Sequence, residues 1–211
     1  MASELDPSRE KPPPAVLPLL VGLLLGTLSR YSSRLSLSLR WLGNVGAIWL
    51  LVAFFVGRGR PSARSAALSG AIALSAAAVA HYLPYRLARF GNGPELLRHP
   101  LYLWIVVGAA AGALFGVLGF IQRHGSKPAK VWSAAVIMAS LAGEAVLLFL
   151  VAPQYAYVVA APVQLAAAAA LPFILVTDRV KSFLTAAVML PFCMAGLWLM
   201  IVTIGRVYPG L

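Results

Sequence analysis

The sequence predicts an all-α integral membrane protein: one bundle of about seven transmembrane helices, six being the alternative count, with a cytoplasmic N-terminus. Three observations carry this. Apolar residues fill 61% of the 211 positions and charged residues only 11%, against about 45–50% and about 25% in soluble domains. So little polar surface cannot wrap a globule of this size in water. Seven stretches approach the roughly 20 apolar residues that cross about 30 Å of hydrocarbon. Strand-like alternation is missing from them, while small residues recur at the three- and four-residue spacing of packed helices.

Taken in order, residues 1–14 (MASELDPSREKPPP) are polar, mixed in charge and end in prolines, which reads as a disordered tail. The apolar run 15–28 continues into Ser29, Arg30 and Tyr31. It lacks the cationic start and the cleavage site of a signal peptide, so it is read as the first span. The seven spans then fall near 14–31, 41–57, 63–83, 101–122, 131–152, 156–177 and 182–205. The first two are short, and Pro84 is expected to end the third helix. Residues 15–206 form one transmembrane domain with no soluble module, and 207–211 are a short C-terminal tail.

The net charge of +11 reflects scarce acids, 6 against 17 bases. The bases sit in short connections between apolar runs, where they set topology and meet anionic headgroups; nothing resembles a nucleic-acid-binding motif. With the N-terminus inside, the inner side holds Arg9, Lys11, Arg58, Arg60, Arg64, Arg123, Lys127, Lys130, Arg179 and Lys181. The outer side holds Arg30, Arg34, Arg40, Arg86, Arg89, Arg98 and Arg206. The inner side is the more basic, as the charge rule requires of the cytoplasm. The location expected is the cell membrane, crossed several times.

Candidate functional residues are the polar ones inside apolar spans. Glu144, in SLAGEAVLLFL, lies near the middle of the fifth span, where a carboxyl costs at least ~2.5 kcal/mol. Such a residue pairs, binds a ligand or relays protons; the plainer reading is a protonated glutamate stapling two helices. Ser133, Ser140 and Glu144 share one helix face by spacing. Gln164 in the sixth span comes to nearly the same depth, because the two spans run in opposite directions, and Tyr157 is two turns before it. Asn44 opens the second span and His81 closes the third. With Trp41 among the aromatic residues at that end, these suggest a pocket opening outward.

Other features read as structure. Gly108, Gly112 and Gly116, with Gly119 following, form a stripe that lets a neighbouring helix approach, as do Gly22 and Gly26. Cys193 is a small buried hydrophobe with no disulfide partner. No metal-ligand cluster, phosphate loop or nucleophile elbow is present, so neither a metal nor a cofactor is expected.

The runs LGNVGAIWLLVAFFVGR, LFGVLGFIQR and LAGEAVLLF resemble those of a family of small polytopic membrane proteins common in actinobacteria and without an assigned activity. There an Asn-Ser/Gly-x-x-x-Trp-Leu-Leu-Val-Ala-Phe segment and a later Gly-Glu-Ala recur. The resemblance covers most of 15–177, implies a shared fold and draws attention to Asn44, Trp49 and Glu144. This chain departs from it at Val45-Gly46-Ala47, where small polar residues are expected.

Three functions are open on this evidence. The first is binding or transport of a small amphipathic or hydrophobic molecule in an outward pocket formed by Asn44, His81, Glu144, Gln164, Trp41 and Tyr157. The general look is similar to the substrate-binding membrane components of vitamin importers, and any use of ATP would need partner subunits. The second is a membrane-embedded enzyme such as a terpene cyclase, with Glu144 as catalytic proton donor. The third is a scaffold or assembly factor. The lipid bilayer is the partner common to all three.

Overall fold

The computed structural model describes residues 15–35, 46–90, 101–151 and 155–207. Within these, 33–35, 85–90, 151, 155–158, 200–201 and 203–207 are described by backbone alone. Seven helices follow one another, with no strand among the described residues. They are α1 (Val16–Leu35), α2 (Gly46–Arg58), α3 (Ala63–Phe90), α4 (Leu101–His124), α5 (Lys127–Val151), α6 (Tyr155–Leu175) and α7 (Arg179–Val207). Four of them, over Ala63–Pro84, Leu101–His124, Lys127–Leu150 and Arg179–Leu199, are long and apolar enough to cross a membrane.

Local chemistry sets several helix ends. Ser62 caps α3 by accepting the Ser65 N–H on its hydroxyl at 3.3 Å. Asp178 caps α7, accepting the Lys181 N–H at 3.2 Å. The Lys181 ammonium hydrogen-bonds the same carboxyl, holding it below its usual range. Pro84 does not end α3, as the sequence suggested; the helix continues to Phe90. A proline removes one N–H and crowds one carbonyl, a local loss that helices packed on neighbours absorb. Pro162, Pro172 and Pro191 likewise lie within helices.

The glycine stripe organises half of the bundle. A Cβ added at Gly108, Gly112 or Gly116 would strike the backbone of Leu74, Gly70 or Ala66, in that order. Those partners step back along α3 as α4 advances, so the two helices are antiparallel with their backbones nearly touching. Gly119 meets Phe54 and Arg58 of α2 in the same way. Gly22 and Gly26 of α1 seat against Ala73 and Ala77, so α1 and α3 run parallel. The stripe therefore serves contacts within the chain.

The second half is built on α5, which packs along α6 and α7 while these touch each other little. α4 and a small part of α2 join the two halves through α5. The Ser133 hydroxyl donates to the Leu118 carbonyl of α4 across that seam at 2.7 Å. Outward faces of α1, α6 and α7 carry exposed Leu20, Leu24, Phe173, Ile174, Leu184 and Phe192, the surface a lipid solvent accepts.

Gly112→Val should therefore destabilise the bundle by about 3 kcal/mol, the upper end of overpacking costs, because the obstructing atoms are backbone. Gly196 has nothing within 4 Å of an added Cβ, and Gly196→Val should leave stability unchanged. Thermal unfolding of both variants in detergent checks the contrast.

Candidate functional site

The first turn of an α-helix carries N–H groups with no partner in the helix. At α2 these are met from another helix. The Glu144 carboxylate of α5 accepts the Gly46 N–H on Oε1 and the Ala47 N–H on Oε2, both at 2.7 Å. Gln164 of α6 adds a third bond, its Nε2 donating to Oε2 at 3.0 Å. One acid thus ties together α2, α5 and α6.

The depth of this junction follows from the register. Glu144 is eleven residues beyond Ser133, and Val107 is eleven before Leu118. Since Ser133 bonds Leu118 across antiparallel helices, Glu144 and Val107 are level. Val107 is six residues into α4, which places the start of α2 ~9 Å below that end of the bundle at 1.5 Å per residue. α2 is described over 13 residues, Gly46–Arg58, and its first described N–H groups lie at this depth. A negative charge at that end also meets the positive pole of the helix dipole.

Gln164 is buried, 2% exposed, and its Oε1 has no partner although it is shielded from solvent. Glu144 itself is half-buried beside the exposed Gly46. Three donors converge on its two oxygens, an arrangement that holds a negative charge in place. For a proton donor, by contrast, one oxygen must carry hydrogen and face an acceptor.

The remaining sequence candidates separate. His81 lies in an aromatic row on the other side of α2's first turns. Its ring meets Trp49 edge-on at 5.8 Å and Tyr82 at 4.6 Å, and Tyr82 stacks on Trp104 at 6.0 Å. Nδ1 of His81 is buried without a hydrogen bond. Asn44 and Trp41 lie outside the described residues, as does the side chain of Tyr157. Ser133 and Ser140 share a face of α5 with Glu144 but serve other neighbours. Ser140 donates back to Val136 at 2.9 Å and touches Cys193 of α7 at 3.9 Å. Among the described residues no three His, Cys, Asp or Glu side chains gather as a metal site would need.

Sequence reasoning missed two features. Gln122 is buried at the far end of α4, and its Nε2 donates to the carbonyl of Leu175, the last residue of α6, at 2.6 Å. Its signal was an amide in the last turn of an apolar helix. The backbone partners of Glu144 gave no signal, since Gly46 and Ala47 are ordinary residues in an apolar run.

Glu144→Gln keeps the size of the side chain but turns an NH2 group toward one backbone N–H. Hydrogen bonds to charge contribute about 1.5–3 kcal/mol. The variant should lose about 2 kcal/mol of stability and exchange the Gly46 and Ala47 amides about thirtyfold faster. Hydrogen-exchange mass spectrometry reads this directly, and unchanged protection at those amides contradicts the cap.

No curated protein and no solved structure matches the chain. A family model described as a family of unknown function (DUF6518) matches residues 6–205, nearly the whole length. The chain belongs to that family.

Proposed function

We propose that this is a multi-pass protein of the cell membrane that binds, and in that way carries or presents, a small amphipathic molecule at the junction of α2, α5 and α6. The observation that carries this reading is the Gln164 Oε1, buried without a partner beside the carboxylate that bonds the Gly46 and Ala47 N–H groups of α2. Helix termini inside a membrane bundle are where transporters hold polar groups of their substrates. A buried acceptor without a donor costs about 1–3 kcal/mol, and a ligand hydroxyl or ammonium placed there recovers it. In this reading the chain crosses the membrane about seven times, with the N-terminus in the cytoplasm, so the junction opens outward. Any energy from ATP comes through partner subunits.

The cyclase reading is less supported, because all three hydrogen bonds at Glu144 use its oxygens as acceptors rather than as a donor. One observation favours the scaffold reading: all three donors come from the chain itself.

Dodecylammonium, whose N–H groups can donate to Gln164 Oε1, serves as a probe of the junction, with dodecanol as its uncharged counterpart. Equilibrium dialysis on protein in lipid nanodiscs should show tighter binding of the cation. Gln164→Leu should weaken it about tenfold, equivalent to ~1.4 kcal/mol. Equal affinity in wild type and Gln164→Leu sinks the binding reading; if neither binds and Glu144→Gln fails to accumulate in membranes, the scaffold reading takes its place.

A further inference from the structure

At the opposite end of α5 from Glu144, the chain forms a cleft of about 760 Å³ between the first turns of α5, the end of α6 and the start of α7. Its size falls within the roughly 300–1,000 Å³ of small-molecule sites. The lining divides by chemistry. Lys127, Lys130 and Lys181 form the polar side, and Val131, Trp132 and Leu184 form the apolar side. Trp132 is 51% exposed and Leu184 is exposed as well, so the apolar side continues onto the lipid-facing surface.

The charges do not cancel. Asp178 is the acid that lines the cleft, and its carboxylate is engaged by Lys181 at 2.9 Å, the one ion pair among the described residues. Lys127 and the half-buried Lys130 therefore face the cleft with no second carboxylate opposite them among the described residues. A cavity with uncompensated ammonium groups on one side and an indole and aliphatic wall on the other is complementary to an anion carried on an apolar chain. A tryptophan at this position matches the preference of its amphipathic ring for the headgroup level. Because α6 and α7 each pack on α5 but little on one another, the cleft is built into the way the second half of the bundle is joined. Gln122 fixes one wall by holding the Leu175 carbonyl.

We infer that this cleft is a binding site for the phosphate headgroup of an anionic phospholipid. Lys127, Lys130 and Lys181 meet the phosphate, and Val131, Trp132 and Leu184 meet the start of the acyl chains. With the N-terminus in the cytoplasm the lipid belongs to the cytoplasmic leaflet, but the site itself depends only on the cleft.

The test uses the full chain in a non-ionic detergent. Dihexanoylphosphatidylglycerol is titrated against dihexanoylphosphatidylcholine, glycerol 3-phosphate and inorganic phosphate, with tryptophan fluorescence and thermal midpoint as readouts. A lysine near an anionic surface is worth about 1 kcal/mol, about fivefold in affinity. The anionic lipid should bind at least about tenfold more tightly than the zwitterionic one. K127Q/K130Q should abolish that preference without moving the lipid-free midpoint, and K130Q alone should reduce it about fivefold. Arg64→Gln removes a base at the same end of the bundle but outside the cleft, and should leave the preference intact. If inorganic phosphate or glycerol 3-phosphate matches the anionic lipid, the lipid assignment falls. If Arg64→Gln costs as much as the double variant K127Q/K130Q, the attraction is diffuse surface charge and the site is overturned.

Discussion

The Gly46 and Ala47 N–H groups, the first described in α2, find their partner on another helix rather than on the carbonyls of their own. Everything around these groups answers that need. The Glu144 carboxylate bonds both Gly46 and Ala47, and Gln164 braces the carboxylate from the far side. Each of the three elements needs the others. Without α2, Glu144 is a desolvated charge; without Glu144, α2 has two orphan donors. A pair of mutually expensive groups becomes stable only when joined, which is why breaking one member of such a pair costs more than the pair contributes net.

That junction holds only because the rest of the bundle brings α2 to the right depth. Gly119 lets α2 settle on α4 with the backbones in contact, and Gly112 and Gly116 do the same between α3 and α4. In lipid, apolar side chains gain little by leaving the solvent, so close backbone approach and hydrogen bonds across the seams do the work. The side-chain hydroxyl of Ser133 bonding Leu118 locks the two halves in the register that puts Glu144 level with the start of α2.

Composition and segment length made the helical character legible, because both report directly on the solvent the chain can live in. The glycine spacing made helix packing legible too, since a four-residue stripe has few other uses. Glu144 and Gln164 stood out for the same reason: a polar group in an apolar run needs a partner. What the sequence could not show was that two of the partners are backbone amides, which carry no residue-type signature. In the run from Trp41 to Arg58 Asn44 is the one uncharged polar side chain, and by itself it does not say which N–H groups need a partner from another helix. Pro84 misled because its local penalty is real but smaller than what packing supplies.

The same geometry limits what a ligand at this junction can be. A molecule that took the place of Gly46 or Ala47 on Glu144 would have to replace charge-assisted bonds and leave the backbone donors bare, a loss of several kcal/mol by the values for such bonds. A molecule that leaves the carboxylate where it is and donates to Gln164 Oε1 faces no such loss. It removes an existing penalty instead, because that oxygen is buried and unbonded. On the proposed binding reading, the ligand that fits is a hydrogen-bond donor on an apolar body, bound beside Glu144 rather than by displacing it. Glu144 holds the nitrogen of the Gln164 amide and so fixes the position of its oxygen.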